Sequence, residues 1–240
     1  MKKLFVILTL VGLMIFSAQT VFAQGAEQTT EQSIHQELKV KFIEGGAGFM
    51  GVILLCLVLG LAIAIERILY LNLSTVNTEK LLKKVEESLA NGGVEAAKDV
   101  CRNTRGPVAS IFYQGLSRMD EGIEVVEKTV VSYGSVQMSQ LEKGLSWIQL
   151  FIAVAPMLGF LGTVLGMIQA FDDIAKAGTI SPNIVAVGMK IALITTVGGL
   201  VVAIILQLFY NYLLSKIDSL VIAMEDASIS LIDILVKHNK

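Results

Sequence analysis

The sequence predicts an all-α membrane protein with three transmembrane helices and long helical extensions in the cytoplasm. The chain is 54% hydrophobic and only 17% charged, which is too apolar for one soluble domain of 240 residues. Three stretches, 48–66, 144–171 and 183–214, each approach or exceed the roughly 20 residues that a spanning helix needs. Outside them, apolar residues recur at helical spacing.

The N-terminus reads as a targeting segment. Two lysines precede an apolar run, and a cut after Ala23 fits a secretory signal peptide over 1–23. The alternative is an uncleaved first span, and both interpretations place Gln24 outside the cytoplasm. Residues 24–47 then form a periplasmic amphipathic segment that we expect to lie flat on the membrane. Its apolar stripe is Ile34, Leu38 and Phe42.

Charge distribution predicts the topology. The segment 67–143 holds ten Lys and Arg residues, whereas the hairpin 172–182 holds only Lys176. Cytoplasmic loops carry the excess of positive charge, so we expect 67–143 in the cytoplasm and 172–182 in the periplasm. The protein is therefore expected in the inner membrane of a bacterium as a multi-pass protein with a periplasmic mature N-terminus.

The cytoplasmic segment 67–143, called the block below, is predicted to be helical. Asn91-Gly92-Gly93 and Gly106-Pro107 should end its first two helices. The last helix meets no proline before the second span, so we expect it to continue straight into that span. The tail 215–240 should prolong the third span and pack on the block or on a neighbouring subunit. Its heptad-like apolar positions are Ile217, Leu220, Val221, Met224, Ser228, Leu231 and Ile234 or Leu235.

Small residues form a stripe along the second span and another along the third. Such stripes let transmembrane helices approach closely. One interpretation is close packing alone, and the other is a subunit contact or a lined passage. The stripes are Ala155, Gly159, Gly162, Gly166 and Ala170, and Gly188, Ala192, Thr195, Gly199 and Ala203.

Four polar residues within the spans are the candidates for function, because polar groups in lipid are costly. Thr163, Thr195 and Thr196 border the stripes and could offer hydroxyls to a proton path. Lys190 lies on the opposite, aliphatic face of its helix. It is roughly 10 Å from Asn183, so its flexible stem can carry the ammonium to the outer headgroups. We therefore predict that Lys190 is an interface anchor and that Thr196 is the functional residue.

Several function classes lack their signature. No nucleophile elbow, P-loop or dinucleotide fingerprint occurs, so we expect neither an enzyme nor a cofactor. No cluster has metal-ligand spacing, and Cys56 and Cys101 are too far apart in sequence for a CxxC pair, so we predict free thiols. A net charge of −2 gives no indication of a nucleic-acid partner.

The second span resembles that of the MotA/TolQ/ExbB proton-channel family. The motif A-P-x-x-G-x-x-G-T-V-x-G-M begins at Ala155, and "GMKIALITTVGGLVVAI" from Gly188 is similar to the family's third span. The resemblance covers about residues 48–240, is strongest to ExbB, and has TolQ as its near neighbour.

This resemblance implies a homopentamer around a central pore. The pore would hold helices of an ExbD-like single-span protein with a protonatable aspartate, and a TonB-like protein would carry the work to outer-membrane receptors. Thr163 and Thr196 match the family's threonines. Many members carry a glutamate five positions before the third-span threonine, where this chain has Ile191. The titrating acid would therefore come from the partner.

Two alternatives stay open. A TolQ-type or gliding-motor subunit would share the mechanism but have a different partner. A membrane scaffold that conducts no protons would be of a different class.

We expect Gly178→Cys to react with a membrane-impermeant maleimide applied from outside, and Gly92→Cys to stay unlabelled, in a chain without Cys56 and Cys101. The positive-inside rule gives this direction. Labelling of intact cells and of inverted vesicles measures it, and the reverse pattern would refute the topology.

Overall fold

The computed structural model describes residues 34–238, and these residues form helices and no strand, which confirms the all-α prediction. The predicted signal peptide, 1–23, lies outside them. The chain divides into two units, residues 1–43 and 44–240, and the account below concerns the second. The helices are α1 (Ile34–Glu44), α2 (Ala47–Ser74), α3 (Thr78–Arg102), α4 (Pro107–Ser117), a 3-10 turn (Met119–Glu121), α5 (Ile123–Glu142), α6 (Leu145–Ala177) and α7 (Pro182–His238).

Three described helical stretches are long and apolar enough to cross a membrane, judged by length and composition. They contain α2, α6 and α7, the helices that hold the three predicted spans. The helix α7 is 57 residues long and unbroken, so the third span and the tail are one rod, as predicted. At about 1.5 Å per residue this rod is far longer than the roughly 30 Å of a hydrocarbon core.

The block folds around its own apolar core, to which the second half of α7 contributes. The thiol of Cys101 is buried there, and this burial raises its pKa to about 12. Both Cys56 and Cys101 are free, as predicted. The tail differs from prediction at one position: Ala227 is buried where Ser228 was expected, and the Ser228 hydroxyl donates to the Met224 carbonyl at 2.8 Å or less, 2.7 Å. The buried tail residues are Ile217, Leu220, Met224, Ala227, Leu231 and Leu235.

The expectation of one unbroken helix from the block into the second span is wrong. The helix α5 ends at Glu142, and α6 begins at Leu145. Between them Gly144 has φ +88°, a left-handed conformation that glycine adopts without a Cβ clash. The chain can thus change direction at the membrane boundary, and α6 need not follow the axis of α5.

The two small-residue stripes pack against each other within one chain. A Cβ added to Gly159 would lie 3.0 Å from the Thr195 carbonyl oxygen, and one on Gly166 would lie 3.1 Å from the Gly188 carbonyl oxygen. The antiparallel backbones of α6 and α7 therefore touch. This finding favours the close-packing interpretation of the stripes over a subunit contact.

The first span packs on one side of this helix pair. A Cβ on Gly162 would lie 2.9 Å from Phe49, and one on Gly198 would lie 3.0 Å from Met50. Further along, Gly60 lies against the side chain of Leu206. The helix α2 thus covers one side of the pair along much of its length.

Gly162→Leu should lower the melting temperature of the purified protein substantially, because the new side chain would collide with Thr195 and Phe49. Overpacking of this kind costs about 1–3 kcal/mol. Circular dichroism in detergent measures the effect. Gly51→Leu is the matched control, since a Cβ there meets nothing within 4 Å. Equal melting of the two variants would contradict the seam between α6 and α7.

Candidate functional site: the threonines of the paired spans

Thr195 lies inside the contact between α6 and α7. It is 1% exposed, and its hydroxyl oxygen lies 2.8 Å from the Ala192 carbonyl oxygen and 3.5 Å from that of Gly159. A hydroxyl facing two carbonyl oxygens can only donate to them. Thr195 therefore satisfies a buried hydrogen bond at the seam and does not reach an open surface of the single chain.

Thr196 lies at the edge of the same seam and is half-buried. Its hydroxyl oxygen is 3.2 Å from the Gly159 carbonyl oxygen and 3.3 Å from that of Ala192. Its proton is therefore directed at one of these carbonyls, and the remaining lone pairs can only accept a hydrogen bond.

Thr163 has the same character on the other helix. Its hydroxyl oxygen lies 2.6 Å from the Phe160 carbonyl oxygen, and the residue is half-buried. The proton is again directed at the backbone, which leaves an acceptor oxygen.

Thr163 and Thr196 face the same side of the helix pair. At about 100° per residue, each lies about 60° from the centre of its own small-residue stripe. Because α6 and α7 are antiparallel, these offsets bring both residues to one side. Ile194 and Gly198, which contact the start of α2, lie about 100–140° the other way. We call the side that α2 leaves open the threonine face.

Apolar side chains surround the two hydroxyls on this face. Phe160 is 68% exposed and Leu200 is 48% exposed in the single chain. The threonine face is thus an apolar surface with two acceptor oxygens, which suits an apolar helix that carries one hydrogen-bond donor.

Lys190 pairs with a residue that the sequence did not single out. Its ammonium lies 2.7 Å from a carboxylate oxygen of Glu44, just before the first span. The two residues are 146 positions apart, so no spacing rule joins them. The available signal was depth, since Glu44 begins the first span and Lys190 lies near the start of the third. Lys190 is far from the threonine face, as its position on the helix predicted.

Ile191 lines an open cleft at the hairpin end of α6 and α7, together with Gln169 and Asp173. The cleft has no carboxylate contributed by α7. Asp173 lies 3.8 Å from Lys176 and belongs to the exposed end of α6.

Three long apolar helices, two of them joined by a glycine seam, define a polytopic α-helical membrane protein. The family model of the MotA/TolQ/ExbB proton channel family matches residues 103–226, just over half of the chain. The chain belongs to this family.

Similar proteins are named as ExbB homologues. A biopolymer transport protein ExbB homolog of Methanothermobacter thermautotrophicus is 36% identical over 160 residues, 66% of this chain and 57% of the relative. The exbB1 protein of Vibrio cholerae is 42% identical over 69 residues, 28% of this chain and 30% of the relative. An ExbB-like protein of Synechocystis is 29% identical over 155 residues, 64% and 74% of the two chains. The matched region thus spans a little over half of the first relative and under a third of the second.

Lys190→Glu should lower the melting temperature in detergent, because it places a second carboxylate beside Glu44. Both side chains are partly exposed, so the effect should be about 1 kcal/mol or less. Combining it with Glu44→Lys restores opposite charges and should recover most of the loss. A double variant no more stable than Lys190→Glu would show that the ion pair does not stabilise the fold.

Proposed function

We propose that this protein is an ExbB-like stator subunit of a motor driven by the proton-motive force in the inner membrane. The observation that carries the proposal is the threonine face, where Thr163 and Thr196 present acceptor oxygens on the side that α2 leaves open. The motor would contain an ExbD-like single-span protein and would drive a TonB-like protein that energises import across the outer membrane.

The hydroxyls would act on the protonated form of the partner's acid. Because Thr163 and Thr196 already donate to backbone carbonyls, each can accept a hydrogen bond from a carboxylic acid but cannot donate one to a carboxylate. Such acceptors favour the neutral acid, and so does the apolar surround of Phe160 and Leu200. The acid would load its proton at this face and release it elsewhere, as its helix turns or shifts.

Ile191 is consistent with this division of labour. The described part of α7 offers no acid in the core of its predicted span, so the chain would supply the surface and the partner would supply the titrating group. Family members with a glutamate there would hold an additional charge near the path.

We further propose that several copies, five by the family resemblance, surround the partner helices. The threonine faces would then line the central passage, and α2 would lie toward lipid. The block would be cytoplasmic and the 172–182 hairpin periplasmic, as the distribution of Lys and Arg indicates.

Two alternatives give different results in defined experiments. A TolQ-type or gliding-motor subunit would co-purify with a TolA-like or gliding partner in place of a TonB-like one. A scaffold without conduction would give liposomes whose proton flux, measured with a pH-sensitive dye, is the same with and without the complex.

Thr196→Val should reduce proton flux and TonB-type uptake by about tenfold or more while the complex still assembles. The change removes one hydroxyl and little volume, and one hydrogen bond to the reacting acid is worth about 1–2 kcal/mol.

Two controls accompany this variant. Thr129→Val makes the same change in the block, where the hydroxyl bonds only to the Val125 carbonyl, and should leave flux unchanged. Lys190→Gln should keep most of the activity. An active Thr196→Val with an inactive Lys190→Gln would reverse the assignment of the two residues.

A further inference from the structure

The block carries an apolar groove between α5 and the second half of α7. Val131, Met138, Ile229 and Ile232 line it, and two carboxylates, Glu127 and Glu225, are among its lining residues. Two of the apolar side chains are strongly exposed in the single chain, Val131 at 65% and Ile229 at 62%.

Lipid does not account for this exposure. Ile229 lies roughly 70 Å along α7 from Asn183, where the predicted third span begins, and a hydrocarbon core is only about 30 Å thick. Ile222, which is 59% exposed, lies beside the groove on the same rod. Exposed aliphatic side chains grouped in water mark a surface that binds another protein.

The groove continues the threonine face along α7. Ile232 follows Thr196 by 36 positions, which is about ten full turns, so both point the same way from the helix axis. Glu225 is offset from Thr196 by about 20° and Ile229 by about 60°. Because α7 is one uninterrupted helix, a chain that lies along the threonine face and continues out of the membrane runs toward the groove.

Charge selects among the possible occupants. Both ionisable groups lining the groove are carboxylates, so the occupant should be apolar and positively charged. In a second copy, α7 between Ile217 and Val236 has four carboxylates and no Lys or Arg, so it would bring like charge. A single-span protein whose block-side flank obeys the positive-inside rule carries Lys and Arg beside its span.

We propose that this groove binds the Lys- and Arg-bearing apolar segment that flanks the membrane span of the single-span partner. The proposal rests on the proposed function, because it assumes that the partner's span lies along the threonine face. At helical rise, the groove residues Val221 to Ile232 lie roughly 38–54 Å from Thr196. The bound segment should therefore lie roughly 25–36 residues from the partner's protonatable acid. One interaction would fix the partner's end in the block while its acid works in the membrane.

Photo-crosslinking in the native membrane tests the proposal. Ile229 is replaced by p-benzoyl-phenylalanine, and the adduct is mapped by mass spectrometry after irradiation. We expect a crosslinked peptide from a single-span protein, rich in Lys or Arg and adjacent to its span. The same replacement at Leu73, 73% exposed but not part of the groove, is the matched control and should give no such adduct.

Charge reversal tests the basis of the selection. Glu127→Lys combined with Glu225→Lys should lower the yield of the partner adduct at position 229 at least tenfold, while circular dichroism shows an unchanged helical content. Glu124→Lys with Asp120→Lys changes the charge by the same amount at positions that do not line the groove, and should leave the yield within twofold.

Three outcomes would overturn the proposal: an adduct only with a second copy of this chain, no adduct, or an adduct insensitive to the reversal. Proton flux measured on the same preparations separates this result from the proposed function. Flux that depends on Thr196 without a partner adduct at Ile229 would refute the groove and leave the proton path standing. An adduct without any flux would refute the path.

Discussion

The close approach of α6 and α7 is the contact on which the rest of the structure depends. At Gly159 and Gly166 the backbone of one helix lies against the backbone of the other, with no room for a Cβ that does not displace its neighbours. Lipid tails are as apolar as leucine, so helices in a membrane gain little from burying aliphatic surface against each other. Close packing and the buried Thr195 hydrogen bond supply the association in its place, and they set the rotation of each helix about its axis.

That rotation decides what the neighbouring residues can do. With the glycines directed inward, Thr163 and Thr196 fall on one edge of the seam, and α2 covers the other edge. Both hydroxyls use their protons on backbone carbonyls that the seam brings near, so each is left as an acceptor. A function based on these threonines therefore follows from the glycines, although no glycine takes part in it.

The length of α7 joins the membrane part to the block. A single rod carries the seam, the threonine face, the apolar core of the block and one wall of the groove. The second span has no such continuity, because Gly144 breaks the helix at its start. Displacement of the third span would be transmitted directly into the block, whereas the second span can move independently of α5.

The sequence alone determined the helical class, the three apolar segments, the stripes and the apolar spacing of the tail. These features depend on composition and on a period of 3.6 residues, which are local properties. Helical geometry also placed Lys190 opposite the stripe, because that relation involves one helix only.

Only the tertiary structure decided which surfaces meet. It directed the two stripes at each other, buried Thr195 and left Thr196 at the edge, and paired Lys190 with Glu44 across 146 positions. It also interrupted the helix at Gly144, where the sequence shows only a glycine, a residue that helices tolerate. The physical reason is common to all of these: a periodic pattern states that a face is apolar or small, but the choice of its neighbour depends on shape and depth in three dimensions.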